Sequence, residues 1–515
     1  MYLYHNYVFM VIMGATDFVR LLKPCSLILL SFLISEGSAK GQHDPLIITP
    51  YLKSGQAEKA RELSRVRNPP FPTNVPSYSG FFTIDADHDS NIFFWFFPPQ
   101  KLSFIESTEA VPLLLWLNGG PGSSSQFGLF VENGPFVVNE TNIRYVRTTS
   151  WTKAAAVLFL DSPVGTGFSF TRDKYATSIS QVTEGLYISL CQFFELFPNY
   201  KQAKFYITGE SFAGQYIPHL AIRVLEQGMK SPLSHPSCDI SLSGISIGNG
   251  FIDPENSLDY AEFLYGLGLL DEKGRLLSEQ WQEKIRSLIQ KERYTEAFKL
   301  YDQYIGYSGL KGSLISNLTG SDFYYNVLKA KRPPDYDYYT KFVEQPKVRD
   351  ALHVGSQHHF QDGVLVMSKM EGEIMKSSKT QFRKLVTEYT NIPVLLYNGQ
   401  LDLIVANRLT DSFLEALNLD EIGPWSTRKA LKISLSEIVG YYKTWKNLTR
   451  VTVRNCGHMV PYDKPEWGYF LITAFLKGDL GITENDRNTV TGAKKFIIKN
   501  SIYSARNKTF EKIKY

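Results

Sequence analysis

Short apolar runs that stop abruptly at turn residues constrain this chain most. Pro112-Leu-Leu-Leu-Trp-Leu117 runs into Asn118-Gly-Gly-Pro-Gly122. Ala156-Val-Leu-Phe-Leu160 runs into Asp161-Ser-Pro-Val-Gly165, and Lys204-Phe-Tyr-Ile-Thr208 into Gly209-Glu-Ser-Phe-Ala-Gly214. Later, Pro393-Val-Leu-Leu-Tyr397 enters Asn398-Gly-Gln-Leu-Asp402, and Thr449-Arg-Val-Thr-Val453 enters Arg454-Asn-Cys-Gly-His458. Runs of about five residues with no polar alternation are strands buried on both faces. With helical stretches between them, they predict a mostly parallel sheet covered by helices. Two further strand-like runs, Gly80–Ile84 and Ile92–Phe97, come first, after a proline-rich wrap over 43–76.

The stretch 252–390 reads differently. Ser278–Gln290 and Tyr294–Tyr304 are helical in pattern and rich in charge and Tyr. This stretch is expected to be a largely helical insertion, a cap over the C-terminal edge of the sheet. The expected division is a leader over 1–39, core over 40–251, insertion over 252–390, core again over 391–483, and a basic tail over 484–515.

Net charge supports that division. The chain carries +4 overall, but its last 32 residues hold eight Lys/Arg against three Asp/Glu, a local excess of +5. The remainder is close to neutral, at −1, which gives no electrostatic footprint for nucleic acid. At the other end, Arg20 and Lys23 precede the apolar run Cys25–Ile34, with small residues Gly37 and Ala39 after it. That is the layout of a secretory signal peptide, and the run is too short for a spanning helix of about 20 residues. No stable membrane anchor is expected. Cys25 leaves with such a leader, so Cys191, Cys238 and Cys456 permit one disulfide at most. Four Asn-x-Ser/Thr triplets, at Asn139, Asn317, Asn447 and Asn507, are candidate glycosylation sites on a secretory route.

The chemistry centres on Ser211. A serine hydroxyl needs a base to remove its proton and a backbone that presents it. A sharp strand–turn–helix with small neighbours does the second job. Gly209 stands two residues before Ser211, and Ala213 and Gly214 follow. In the α/β-hydrolase arrangement the acid follows the serine and the histidine comes last. Asp402 lies after a buried strand, and His458 is the sole histidine beyond it. The roles that follow are Ser211 as nucleophile, His458 as proton shuttle and Asp402 as the group that fixes the imidazole. The oxyanion needs two backbone N–H donors. Phe212, next after the serine, and Gly120, in the glycine turn after an early strand, are the candidates.

Other chemistries fit poorly. His358 and His359 are adjacent and lack metal-ligand spacing, no HExxH occurs, and Gly165-Thr-Gly167 lacks the third glycine of a dinucleotide fingerprint. No metal or cofactor is required. An acyltransferase using the same three residues, and a non-enzymatic binding partner built on a hydrolase frame, are the rival readings.

Several linked blocks carry a resemblance. They are Trp116–Gly122, Glu132–Pro135, Leu160–Phe168, Gly209–Tyr216, Ile247–Gly250, Asn398–Asp402 and Gly457–Pro461. In content and order they resemble the serine carboxypeptidases over roughly 45–478, with a flavour similar to the vitellogenic-like and venom members. The resemblance implies an α/β-hydrolase fold. It also implies removal of C-terminal residues from peptides or proteins through an acyl-enzyme, at acidic pH, in a secreted or lysosomal setting. It further implies that Trp116, Asn118, Glu132 and Glu210 hold the substrate's terminal carboxylate. Two clustered carboxyls favour sharing protons, so binding should weaken as pH rises. Ser123 stands where many members carry a cysteine, so that bridge cannot form here.

Overall fold

A computed structural model describes residues 44–100, 111–226, 238–434 and 437–479. The expected leader over 1–39, the tail over 484–515 and the triplet at Asn507 lie outside the described residues.

Ten strands form one sheet. In chain order they are β1 (Tyr78–Asp85), β2 (Ser90–Phe97), β3 (Leu113–Leu117), β4 (Ala156–Leu160), β5 (Phe205–Glu210), β6 (Leu242–Gly248), β7 (Val394–Gly399), β8 (Lys429–Lys432), β9 (Ile438–Trp445) and β10 (Leu448–Val453). Their order across the sheet is β1-β2-β4-β3-β5-β6-β7-β10-β9-β8. The six central strands pair parallel, and the pairs at both flanks are antiparallel. Every residue of β3, β4, β5 and β7 is buried, as expected of strands covered on both faces.

Register aligns the ends of the parallel strands. Leu117 lies opposite Gly209, Glu210 opposite Gly248, Gly248 opposite Tyr397, and Gly399 opposite Val453. The turns that leave β3, β5, β7 and β10 therefore meet along one edge, where ligands bind in open parallel sheets.

Two helices buttress that edge. Helix α1 (Ile179–Leu196) is capped by the Ser178 side chain, which accepts from Gln181 N. Helix α2 (Ala213–Leu225) starts two residues after Ser211. The predicted helices over 278–290 and 294–304 exist, the first starting earlier. Glu272–Gln290 is capped by Asp271, which accepts the Gly274 N–H at 2.8 Å. Between β6 and β7 the chain is otherwise helices and loops, apart from a two-residue strand, Gln361–Asp362, that pairs with Thr166–Gly167.

The aromatic excess is largely core. Phe82 stacks on Phe94 with centroids 4.4 Å apart, and Trp95 is ringed by Phe71, Phe97, Phe130 and Phe136. Cys191 pairs with Cys238, and Cys456 is free and buried. Burial pushes the Cys456 thiol well above its ordinary range. Among the described residues no helix is long and apolar enough to cross a membrane.

One glycosylation candidate, Asn447, has its side-chain amide engaged. The amide nitrogen of Asn447 donates to the carbonyls of Leu385, Tyr389 and Ile392, at 3.3, 3.2 and 2.7 Å. Asn317 is exposed, and the Oδ1 of Asn139 accepts from Thr141 and Asn142 in a surface turn.

Candidate active site

Ser211 leaves β5 with φ of 61°, in the left-handed region that a side chain rarely adopts. Holding a non-glycine residue there costs about 1–3 kcal/mol, so neighbouring bonds must enforce it. The Ser211 N–H donates to Gly248 O at 3.0 Å. Its carbonyl accepts from the N–H groups of Gly214 and Phe251, each at 2.9 Å. The small residues at 213 and 214 let helix α2 start at once.

Asp402 and His458 come together as the sequence predicts. His458 Nδ1 and Asp402 Oδ2 lie 2.8 Å apart, both side chains buried. With Nδ1 held by a carboxylate, Nε2 is the nitrogen left to take a proton. Nε2 has no hydrogen-bond partner, and none joins it to the Ser211 hydroxyl. The structure thus joins two of the three residues directly and sets the third in a neighbouring turn.

The link between those turns escaped the sequence reading. Asn249, one residue beyond β6, donates from Nδ2 to Asp402 Oδ2 at 2.7 Å and accepts the Gly399 N–H at 3.2 Å. The adjacent Gly248 is the residue that receives the Ser211 N–H. The signal was present, because Asn249 sits in the quoted Ile247–Gly250 block. A polar residue closing a buried strand merited a role.

The two expected oxyanion donors flank the serine. A Cβ placed on Gly119 would lie 2.4 Å from Phe212 N and 2.8 Å from Ser211 Cβ, so only glycine permits this approach. The N–H groups of Gly120 and Phe212 are not spent on backbone hydrogen bonds. The Gly120 carbonyl accepts from the Tyr307 hydroxyl.

Trp116, Asn118, Glu132 and Glu210 form one buried cluster. Trp116 Nε1 and Gly128 N donate to Asn118 Oδ1 at 2.7 and 3.0 Å, which fixes the amide's orientation. Asn118 Nδ2 then faces Glu210 Oε1 at 3.1 Å and Glu132 Oε1 at 3.5 Å. Burial is the main force on both acids. It raises Glu132 from 4.5 to about 7, against the lowering pull of Glu210, Asn118, His458 and Arg147. Burial raises Glu210 further, and the neighbouring Glu132 adds to the rise. If both ionise, Glu132 Oε2 has no donor; a proton on Glu210 gives the pair its hydrogen bond.

Arg147 is a second residue the sequence did not flag. Its guanidinium donates to the carbonyls of Leu129, Phe130 and Gly134, which brackets the turn that carries Glu132. Burial lowers it to about 10, well short of neutralising it at pH 7. Among the described residues no cluster of His, Cys, Asp and Glu could hold a metal ion.

A serine lifted out of a strand-to-helix turn, on a largely parallel sheet with this strand order, defines the α/β-hydrolase class. Residues 68–478 match the family model described as serine carboxypeptidase. The chain belongs to the serine carboxypeptidase family, and it is a serine-type carboxypeptidase, a hydrolase of peptides. It is 40% identical over 437 residues to the venom serine carboxypeptidase of Apis mellifera, covering 84% of this chain and 90% of that one. It is 42% identical over 445 residues to the probable serine carboxypeptidase CPVL of Homo sapiens, with the same shares covered. Among solved structures it resembles the prohormone-processing carboxypeptidase Kex1 of Saccharomyces cerevisiae. There the TM-score is 0.68 at 28% identity, over 81% of this chain and 96% of that one.

Proposed function

We propose that this carboxypeptidase works through Ser211, His458 and Asp402, is most active at acidic pH, and travels the secretory pathway to a secreted or lysosomal destination. The Asp402–His458 hydrogen bond beside the strained serine turn carries the reading. Ser211 Oγ attacks the last peptide carbonyl while His458 Nε2 takes its proton. The C–N bond breaks, and His458 returns the proton to the departing amino acid. Water then cleaves the acyl-enzyme by the same route. The Ser211–His458 hydrogen bond forms when substrate is seated, as catalytic contacts commonly close only in the complex. Gly120 N and Phe212 N receive the oxyanion.

Trp116, Asn118, Glu132 and Glu210 would receive the substrate's carboxylate. That anion needs donors, and a Glu supplies one only while protonated. Burial keeps Glu132 protonated up to about pH 7 and raises Glu210 well above its ordinary range, so acid favours binding. In this reading the helical stretch 252–390 caps the core segments 40–251 and 391–483, and Asn139 and Asn317 are the glycan acceptors.

One experiment tests the activity. A blocked dipeptide with a free carboxylate should lose its terminal residue at pH 5, and the C-terminal amide should react far more slowly. Equal rates for the two would overturn the carboxylate site, and no release with either would overturn the hydrolase reading.

A further inference from the structure

Four consecutive residues in the helical insertion, Tyr324 to Val327, touch both loops that carry the acid and the base. Tyr324 O accepts the N–H groups of Leu403 and Ile404, each at 3.1 Å. Val327 N donates to Leu401 O at 2.9 Å. Asp402 is thus bracketed on both sides by backbone bonds to this segment. Tyr325 O, in turn, accepts the His458 N–H at 2.7 Å. The Tyr325 ring lies against the imidazole with centroids 5.0 Å apart and planes 28° from parallel.

A side-chain anchor reinforces the backbone bonds. Asn326, buried, donates from Nδ2 to Asp463 Oδ2 at 2.8 Å. The same carboxylate oxygen accepts the Gly457 N–H at 2.7 Å, one residue before His458. Asp463 Oδ1 is held by Lys329 Nζ at 2.9 Å, so the anchor has its own counter-charge. The approach is tight. A Cβ on Gly457 would lie 2.1 Å from Tyr325 O and 2.7 Å from Asn326 Cβ.

We propose that Tyr324–Val327 is a strap that fixes the Asp402–His458 pair, with Tyr325 and Asn326 as positioning residues for the reaction. The proposal rests on the reading that this pair is catalytic. The sheet alone leaves Asp402 and His458 on separate turns after β7 and β10. Asn249 holds Asp402, and the Leu401 N–H reaches Cys456 O at 2.7 Å, but the imidazole has no bond to Ser211 to hold it. The strap adds a further hold on both turns through four backbone bonds, one ring contact and one amide–carboxylate bond. Displacing a reacting group by about 1 Å costs roughly 100-fold in rate, so the constraint acts on turnover. No hydrogen bond joins it to the Glu132–Glu210 cluster; the Tyr325 hydroxyl lies within electrostatic reach of Glu210, so Asn326 gives the cleaner separation of turnover from substrate affinity.

The test is a split between kcat and KM. Tyr325→Leu and Asn326→Ala should each lower kcat about tenfold or more, while KM for a blocked dipeptide stays within about twofold. Labelling of Ser211 by a fluorophosphonate, which needs the serine and its base but not the carboxylate site, should slow by the same factor as kcat. Tyr325→Phe, which keeps the ring, should recover most of what Tyr325→Leu loses. Thermal unfolding and titration of active sites normalise each rate to folded enzyme. Wild-type kcat in folded Tyr325→Leu and Asn326→Ala, with His458→Ala inactive, overturns the strap alone. Turnover by His458→Ala at the wild-type rate overturns the catalytic reading and the strap with it.

Discussion

Asp402 and Glu210 are both buried carboxyls at the edge of one sheet, yet their surroundings oppose each other. Asp402 accepts from Asn249 and His458, and no other acid shares those hydrogen bonds. Glu210 faces another carboxyl, Glu132, with one shared amide between them. The first site is built to receive hydrogen bonds and hold an imidazole. The second can only be satisfied with a proton in it. What a carboxyl does here depends on which groups the neighbouring strand ends bring to face it.

Breaking the first site should have the largest effect. Ser211→Ala or His458→Ala is expected to lower kcat by about 10⁶, and Asp402→Asn by about 10⁴, since an amide there favours the wrong tautomer. Steady-state release of the terminal residue measures all three. Gly119→Ala should follow, with kcat down about 10²–10³. Its methyl would press on Phe212 N and disturb the oxyanion donors.

The second site should respond through pH. Wild-type KM is expected to rise above about pH 7, by up to about tenfold per unit, as Glu132 ionises and its carboxylate faces the substrate's. Glu210→Gln keeps a donor at every pH, so its KM should stay nearly flat from pH 5 to 8. A wild-type limb surviving in that variant would sink the paired-acid account. Stability should show the smallest effect, with the same sign. Both glutamates titrate higher folded than unfolded, so their contribution is present below about pH 4.5; that of Glu132 is lost as pH climbs through about 7, and that of Glu210 falls in the same direction. Asp161, raised by burial to about 6, adds in the same direction. Unfolding free energies from denaturant titrations at pH 5 and 8 should differ by on the order of 2–3 kcal/mol, and by less in Glu210→Gln.

Much of this was legible in the sequence because it is written in short local patterns. Five apolar runs with their glycine or Asp exits mark β3, β4, β5, β7 and β10, and the order Ser211, Asp402, His458 suits one chain topology. Strand β6 was passed over because Ser241, Ser243, Gly244 and Ser246 break its apolar run. Strands β8 and β9 were passed over because charge and half-exposed tyrosines mask edge strands. Arg147 and the strap were invisible for a different reason, and Asn249 showed only as a polar residue closing a buried strand. Their roles depend on partners 150 or so residues away for Asn249 and over 130 for Asn326, and on backbone carbonyls that every residue type supplies. No local motif encodes such contacts.

The cystine between positions 191 and 238 spans 47 residues, and Cys456, the other cysteine described, is free. A protease that nicked the polypeptide inside that span would yield fragments still covalently tethered. They would migrate as a single band on a non-reducing gel and separate only with thiol. A nick within 252–390 has no such tether. It would place the nucleophile on one fragment and the imidazole on the other, held together by non-covalent packing alone.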